Sequence, residues 1–252
     1  MSSSPYYEDI HGRQIRPVTL VKTQEDICRR IVSIVKFFFR GGSGLQEIPF
    51  RGFLLEGPPG NGKTEIARQA IRRVSYEIGN VYLRFVDSAK IAKPEWGKAE
   101  EILKEQFVTD SRKRVVLLLD DIDCLLIKRG TKIAREWHYS INALIFHQLD
   151  MMDPANIIVI ATTNRPSLID YALRSRLYVI KVPRLSIEEL MIIAKNMLEQ
   201  NWPTIGKSFN ETLKEKILQS IHEELRSKKN PSVRDVQHLI ITSCIEKGVW
   251  TL

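Results

Sequence analysis

The chain has 252 residues, of which 43% are hydrophobic and 27% are charged, so it can bury a sizeable core and wholesale disorder is excluded. Its 38 basic residues exceed its 30 acidic residues, and the net charge of +8 suits an acidic partner such as nucleic acid, or a charged ligand such as a nucleotide. No apolar run approaches the roughly 20 residues that span a bilayer, and the three scattered cysteines indicate neither a disulfide framework nor a metal site. We therefore expect a reduced, cytoplasmic protein without membrane insertion.

The N-terminal region, residues 1–22, shows no clear periodicity and is predicted to be an arm. A helix is expected to begin near Thr23, because Asp26 lies three positions after this cap. The glycine-rich run over residues 41–44 should end that helix. Its apolar face is formed by Ile27, Ile31, Ile34, Val35 and Phe38.

From residue 50 onward, apolar runs alternate with helical patterns. Five of these runs are typical of buried parallel strands. The alternation predicts an α/β fold, in which helices flank both faces of a parallel sheet. The runs are Phe53–Leu55, Val81–Val86, Val115–Leu119, Ile157–Ala161 and Val179–Val182.

After Pro183 the strand patterns stop. Ser186 and Glu189 form a capping box for a helix that should run to about Gln200. Two more helical patterns follow, roughly over 209–226 and 232–247. The chain is thus predicted to contain an arm (1–22), an α/β subdomain (23–183) and a small all-helical lid (184–252).

A phosphate-binding loop is predicted after the first buried strand, where the sequence reads Gly57-Pro58-Pro59-Gly60-Asn61-Gly62-Lys63-Thr64. Glycines permit a tight turn whose backbone N–H groups face phosphates, and the following helix adds its positive N-terminus. We expect Lys63 to bind the β- and γ-phosphates and the Thr64 hydroxyl to ligate Mg²⁺. The segment from Gly57 to Glu65 is therefore the predicted site for a nucleoside triphosphate.

Acidic residues follow the strand that ends at Leu119. A phosphate-binding loop needs a carboxylate near the metal at the end of a neighbouring strand, and Asp120 supplies it. Asp121 occupies the next position, which normally carries the carboxylate that polarises the attacking water. Alternatively, Asp121 and Asp123 merely cap the following turn.

These motifs together resemble those of the AAA family within the AAA+ ATPases, oligomeric machines that unfold, disassemble or remodel other macromolecules. The likeness covers about residues 50–240 and includes Leu119–Asp123 and Ile160–Arg176, the latter resembling the family's second region of homology. It implies an AAA+ body with a helical lid, ATP and Mg²⁺ as ligands, and a homo-oligomeric ring, expected to be a hexamer.

The resemblance also assigns roles to residues that the phosphate loop alone does not identify. Asn164 matches the sensor-1 residue, which orients the water and contacts the γ-phosphate; a turn-forming asparagine is the alternative. Arg176 matches the arginine finger, a cation inserted into the neighbouring subunit's site, and Arg174 is the competing candidate. A surface ion pair is the structural alternative for Arg176.

The chain departs from the family pattern at several positions. Asp121 replaces the usual glutamate, so slow hydrolysis is expected unless a relay through one water restores the reach. The Ser175-Arg176 pair is closer to clamp loaders and initiators, and Arg234 lies where initiators and helicase loaders place a sensor-2 arginine. A salt bridge at a helix start is the alternative for Arg234.

The stretch Lys93–Glu100 resembles the family's first pore loop, in which an aromatic residue grips a threaded chain. Trp96 is the candidate for that residue, although it directly precedes Gly97 where the family has one residue between them. Packing of Trp96 on its own helix is the alternative.

The sequence leaves two main functions open, which differ in the molecule that is remodelled. The pore-loop likeness favours an ATPase that remodels a protein client, which we expect. Arg234, the Ser175-Arg176 pair and the net charge favour a nucleic-acid-directed ATPase of the initiator or helicase-loader type. A regulatory switch that binds ATP and barely hydrolyses it is a third reading, based on Asp121.

Overall fold

The computed structural model describes residues 8–41, 50–88, 98–110, 112–128, 136–205 and 211–247. The chain divides into two compact units. The first comprises residues 1–18, 26–57 and 63–182, and the second comprises residues 19–25, 58–62 and 183–252.

The described part of the first unit contains a six-stranded sheet. In chain order the strands are β1 (Asp9–His11), β2 (Gly52–Glu56), β3 (Val81–Asp87), β4 (Arg114–Asp120), β5 (Ile157–Thr163) and β6 (Tyr178–Lys181). Their order across the sheet is β1-β3-β4-β5-β2-β6, with all pairs parallel except β1 with β3. Within the described ranges of this unit, five α-helices precede or connect these strands: α1 (Lys22–Phe39), α2 (Lys63–Ile78), α3 (Lys98–Gln106), α4 (Glu136–Met151) and α5 (Tyr171–Arg174).

Apolar side chains are buried along the central strands because helices cover the sheet. Leu117 and Val159 belong to one core cluster with Ile145 and Leu149 of α4. On α2, buried positions recur at helical spacing, which explains why this segment folds as an amphipathic helix. These positions are Ile66, Ala67, Ala70, Ile71 and Val74.

The carboxyl ends of the parallel strands lie at one edge of the sheet. Glu56 at the end of β2 pairs with Thr163 of β5, and Leu119 of β4 pairs with Ala161 of β5. Residues that follow β2, β4 and β5 therefore meet at this edge, where open α/β sheets bind their ligands.

The N-terminal arm predicted from the sequence contains an edge strand. β1 pairs with β3, and Asp9 forms a bidentate ion pair with the buried Arg84, with distances of 2.8 and 3.0 Å. Gly12 packs so closely on α2 that an added Cβ would lie 2.6 Å from the Ser75 Cβ. A strand of three residues is too short to show periodicity, so the sequence pattern did not reveal it.

Where the structure describes the second unit, it contains three helices, α6 (Ile187–Ile205), α7 (Glu211–Ser227) and α8 (Val233–Glu246). Ser232 begins α8 with a capping box: its hydroxyl accepts from the Asp235 backbone N–H, and its own N–H donates to the Asp235 carboxylate at 2.9 Å. Hydrogen bonding from Ser232 lowers the pKa of Asp235. Buried residues from all three helices form the core, among them Leu190, Leu198, Ile217, Leu225 and Val236.

The predicted fold class is confirmed: a mostly parallel sheet with flanking helices is followed by a helical segment. The antiparallel edge strand β1 is an addition to the predicted parallel sheet. Across the described ranges, no helix combines the length and the apolar character that crossing a membrane would need.

Candidate active site

Lys63 begins α2 at the carboxyl edge of the sheet and is only 6% exposed. Its Nζ donates to the Gly57 carbonyl at 2.9 Å and to Asn164 Oδ1 at 2.6 Å. The lysine of the phosphate loop and the predicted sensor residue at the end of β5 are thus in direct contact.

Thr64 and Asp120 form the candidate metal site. The Thr64 hydroxyl donates to Asp120 Oδ1 at 2.6 Å, and the Thr162 hydroxyl donates to the same oxygen at 2.7 Å. Hydroxyl and carboxylate oxygens are ligands that Mg²⁺ accepts, so the donor set fits this ion. No group of three or more His, Cys, Asp or Glu side chains among the described residues could hold a metal, so Mg²⁺ would also need phosphate and water oxygens.

Asn164 connects the phosphate-loop lysine to the candidate catalytic carboxylate. Its Nδ2 donates to Asp121 Oδ1 at 2.7 Å, while its Oδ1 accepts from Lys63. Asp121 has a left-handed backbone (φ 50°, ψ 54°), which Asp and Asn adopt more readily than most other non-glycine residues. Three of the predicted catalytic residues therefore belong to one hydrogen-bonded chain.

Asp123 anchors the end of β5. Its Oδ1 accepts from the Thr163 hydroxyl at 3.2 Å and from the Asn164 backbone N–H at 3.4 Å. Asp123 therefore does more than cap the local turn, because it fixes the backbone that carries Asn164. Asp123 lies two residues after Asp121, and this spacing could have indicated a role beyond the turn. The sequence does not show, however, that Asp123 contacts the end of β5.

Arg174 forms an ion pair inside its own chain. Its guanidinium binds both carboxylate oxygens of Glu56, the last residue of β2, which is 5% exposed. It also donates to the Pro166 carbonyl at 3.5 Å. Removing Arg174 from Glu56 would leave a buried carboxylate without its counter-charge, at a cost of about 3–5 kcal/mol. The contact with Glu56 was not predicted from the sequence.

Arg176 pairs with Asp150 at distances of 2.8 and 2.9 Å. The hydrogen bond from Arg176 lowers the pKa of Asp150, and the same bond raises the pKa of Arg176. Because the Asp150 side chain is 51% exposed, this pair is worth only about 0–1 kcal/mol. Breaking this ion pair therefore costs much less than breaking the pair of Arg174 with its buried carboxylate. Arg176 also donates to the Ala172 carbonyl at 2.9 Å and lies 5.1 Å from the centre of the Phe146 ring.

The crest of the phosphate loop, residues 58–62, belongs to the second unit. There the Gly60 carbonyl accepts from the Val233 N–H at 2.9 Å. Gly60 has φ +74°, and a Cβ added to it would lie 2.9 Å from Ser232 Oγ and 3.6 Å from Arg234 Cγ. The exposed Arg234 thus lies beside the crest, and its role as a sensor-2 residue remains a prediction.

Asn61 determines the shape of this crest. Its Nδ2 donates to the carbonyls of Pro58 and Pro59 at 3.3 and 3.2 Å, and its Oδ1 accepts from the Leu185 N–H at 3.4 Å. With 1% of its surface exposed, the Asn61 side chain stabilises the loop and leaves phosphate contacts to the backbone.

Two other predicted residues add little to this picture. Glu65 lies in the first turn of α2, where its carboxylate accepts from Gln69 Nε2 at 2.6 Å. Trp96 and the segment 89–97 lie outside the described residues.

Cys124 follows the acidic residues, and its thiol donates to the Asp121 carbonyl at 3.1 Å. Burial, reinforced by the charge of Asp123, raises the pKa of Cys124 to about 11. A raised thiol pKa favours the unreactive neutral form, so about one thiol in a thousand is ionised at pH 8. We expect slow iodoacetamide alkylation of the native protein, with a rate that rises tenfold per pH unit up to about pH 11.

That prediction is measured by mass spectrometry of the peptide that contains Cys124. Cys28 and Cys244 are buried and form no disulfide, so they serve as internal references within the folded chain. Alkylation of Cys124 that levels off near pH 9 would contradict the prediction.

Comparison with known proteins adds independent information. Residues 53–184 match the family described as "ATPase family associated with various cellular activities (AAA)". An "AAA ATPase forming ring-shaped complexes" from Corynebacterium jeikeium is 28% identical over 208 residues, and a "Proteasome-activating nucleotidase" from Saccharolobus solfataricus is 33% identical over 157 residues. These alignments cover 77% and 59% of this chain, but only 39% and 38% of the two relatives.

Among solved structures, a chain of the complex titled "Structure of E. coli MS115-1 HORMA:CdnC:Trip13 complex" aligns with a TM-score of 0.61. The alignment covers 88% of each chain at 17% identity, and it therefore shows a shared fold alone.

Proposed function

Because the chain belongs to the AAA family of ATPases, we propose that it binds and hydrolyses ATP and uses the energy to remodel a protein client. The observation that carries the proposal is the hydrogen-bonded cluster of Lys63, Asn164 and Asp121 beside the Thr64–Asp120 pair. It brings a phosphate-binding cation, metal ligands and a candidate base to one edge of the sheet.

The phosphate end of ATP is held by the loop and by α2. Backbone N–H groups of the loop and the helix N-terminus bind phosphate oxygens, and Lys63 exchanges its neutral acceptors for the β- and γ-phosphates. Thr64 and Asp120 would hold Mg²⁺, which would supply positive charge against the charge that develops on the phosphates. Thr162 orients the Asp120 carboxylate through its hydroxyl hydrogen bond.

Asp121 and Asn164 position the attacking water. Asp121 accepts a proton from the water, directly or through one relaying water, because its side chain is shorter than glutamate. Asn164 holds the Asp121 carboxylate through Nδ2 at 2.7 Å, and the second hydrogen of this nitrogen donates to the γ-phosphate. We expect slow ATP turnover because the side chain of Asp121 is shorter than that of glutamate, so the attacking water is harder to position.

The working form that we propose is a ring, in which Arg176 reaches the ATP of the neighbouring subunit. The weak pair with Asp150 supports this assignment, since Arg176 can exchange an exposed carboxylate for phosphate. A ring-forming relative also supports assembly, and a hexamer is the expected number of subunits. Arg174 keeps its pair with the buried Glu56 and positions the end of β2.

A nucleic-acid-directed ATPase is the second candidate function. It is favoured by Arg234, which lies beside Gly60, and by the net charge of +8. The relative described as a "Proteasome-activating nucleotidase" favours the protein client instead. Cys28, Cys124 and Cys244 form no disulfide, which suits the reducing cytoplasm in either case.

Replacement of Lys63 by alanine tests the proposal most simply. Lys63→Ala should weaken ATP binding by about 10- to 150-fold, because it removes a charged hydrogen-bond donor to phosphate that is worth about 1.5–3 kcal/mol. Isothermal titration calorimetry with ATP and Mg²⁺ measures the change, and steady-state turnover should be lost as well.

Lys195→Ala is the matched control, since Lys195 is an exposed lysine on α6. ATP affinity in this control should equal that of the unaltered protein. Equal ATP affinity in Lys63→Ala would overturn the assignment of the phosphate loop.

A further inference from the structure

A row of arginine and aromatic side chains lies on the first unit, away from the residues assigned to ATP. Arg68, Arg72 and Tyr76 are spaced four residues apart on α2, so they are neighbours along one face of the helix. Arg68 lies over the ring of Phe85 on β3 at 5.7 Å, and Arg13 lies over Tyr76 at 5.5 Å. We call these five residues the arginine–aromatic face.

The rings of this face are accessible. Tyr76 is 54% exposed and Phe85 is 38% exposed, which is unusual for aromatic side chains of this size. Arg72 lies 4.9 Å from the Tyr76 ring centre, so each ring is already flanked by at least one guanidinium. Such an arrangement can stack an additional planar group, because the guanidinium and the ring both offer flat surfaces.

The positive charge of the face is not neutralised locally. In the part of the chain that the structure describes, Arg13, Arg68 and Arg72 form no ion pair with a carboxylate. The Nε atoms of Arg68 and Arg72 are buried and have no hydrogen-bond partner.

We propose that the arginine–aromatic face binds single-stranded nucleic acid, with phosphates on Arg68 and Arg72 and a base stacked on Tyr76. Proteins that bind single strands without sequence preference combine basic grooves with exposed aromatic rings. Arg68 and Tyr76 are about 12 Å apart along α2, so the phosphates on the arginines and the base on the ring would come from neighbouring nucleotides of one strand. A second copy of this chain carries the same charge of +8 and is therefore a poorer electrostatic partner.

Single-stranded nucleic acid fits better than its two closest alternatives. In a duplex the bases are already stacked on one another, so they are not available to Tyr76 and Phe85. An acidic peptide would satisfy the guanidinium groups, but its acidic side chains carry no aromatic base to stack on the rings. This face is independent of Lys63 and Asp120, so the inference does not depend on which client the ATPase remodels.

The test measures binding of fluorescein-labelled oligo-dT and oligo-rU to the full chain by anisotropy over a salt series. The Arg68→Ala/Arg72→Ala variant should bind at least about tenfold more weakly and should lower the slope of log K against log salt by about 1.4, or 0.7 for each lost phosphate contact. The Arg226→Ala/Lys229→Ala variant removes the same net charge from exposed residues of the second unit, and its affinity should stay within about twofold.

Tyr76→Ala separates stacking from charge. It should weaken binding by about 5- to 150-fold with an unchanged salt slope, and Tyr76→Phe should retain affinity. Calorimetry with ATP on every variant checks that α2 and the phosphate loop remain folded, so a failure here is distinct from a failure of the ATPase proposal.

Three results would overturn the inference. Equal losses in the two double variants would mean that only net charge matters. Full affinity in Tyr76→Ala would remove the stacking role. Binding of poly-glutamate as tightly as oligo-dT would indicate an acidic protein partner instead.

Discussion

Arg176→Ala is expected to leave ATP affinity within about twofold and to reduce kcat by about 10³- to 10⁵-fold, the range for loss of an arginine finger. The reason is that the proposed finger would stabilise negative charge that develops only in the transition state, and would do so from a neighbouring subunit. Its partner Asp150 is half exposed, so little stability is lost with the ion pair. Calorimetry gives the affinity, and phosphate release gives kcat.

Mixing two inactive variants tests whether Arg176 acts in the ATP site of a neighbouring subunit. Neither Lys63→Ala nor Arg176→Ala should turn over ATP alone, but a mixture should recover activity, because an intact loop of one subunit can meet an intact arginine of another. Arg30→Ala, an exposed arginine on α1, is the control and should behave like the unaltered protein. Full turnover by Arg176→Ala alone would remove the finger assignment.

Asp9→Ala should lower the free energy of unfolding by about 3–5 kcal/mol, because it leaves the buried guanidinium of Arg84 without its carboxylate partner. The side chain of Arg84 is 2% exposed, and Lys113 also lies 3.5 Å from Asp9, so the substitution would leave two cations without this carboxylate. Arg84 additionally donates to the carbonyls of Gln106 and Val108 at 2.7 Å, which keep it in place. Urea unfolding measured by circular dichroism gives the change.

Asp26→Ala provides the matched comparison. Asp26 pairs with Arg29 at 3.3 Å, but both side chains are more than half exposed, so the loss should be below about 1 kcal/mol. Similar losses in the Asp9 and Asp26 variants would show that β1 contributes little to the stability of the sheet.

The fold could be predicted because its signals are local. Apolar runs such as Val115–Leu119, and the glycine-rich loop before Lys63, identify strands and the phosphate loop without any knowledge of the sheet order. The family resemblance rests on the same residues and is confirmed by the match over residues 53–184. Chain order alone could not reveal that β1 pairs with β3, since three residues carry no periodic pattern.

The partners of the site residues were harder to predict because they are distant in sequence. Glu56 binds Arg174 across 118 positions, and Asp150 binds Arg176 across 26. Neither pair leaves a motif, because its partners come together only in the folded chain. The difference in burial between Glu56 and Asp150 is the reason why we propose Arg176, and not Arg174, as the finger.

The central claim is that ATP is hydrolysed at a site shared between subunits, and steady-state phosphate release at increasing protein concentration tests it most directly. We predict that ATP turnover per subunit rises with protein concentration as the chain assembles. Lys63→Ala should show no turnover at any concentration. A constant turnover per subunit from the most dilute sample upward would contradict the shared site. Turnover in Lys63→Ala would contradict the assignment of the ATP site itself.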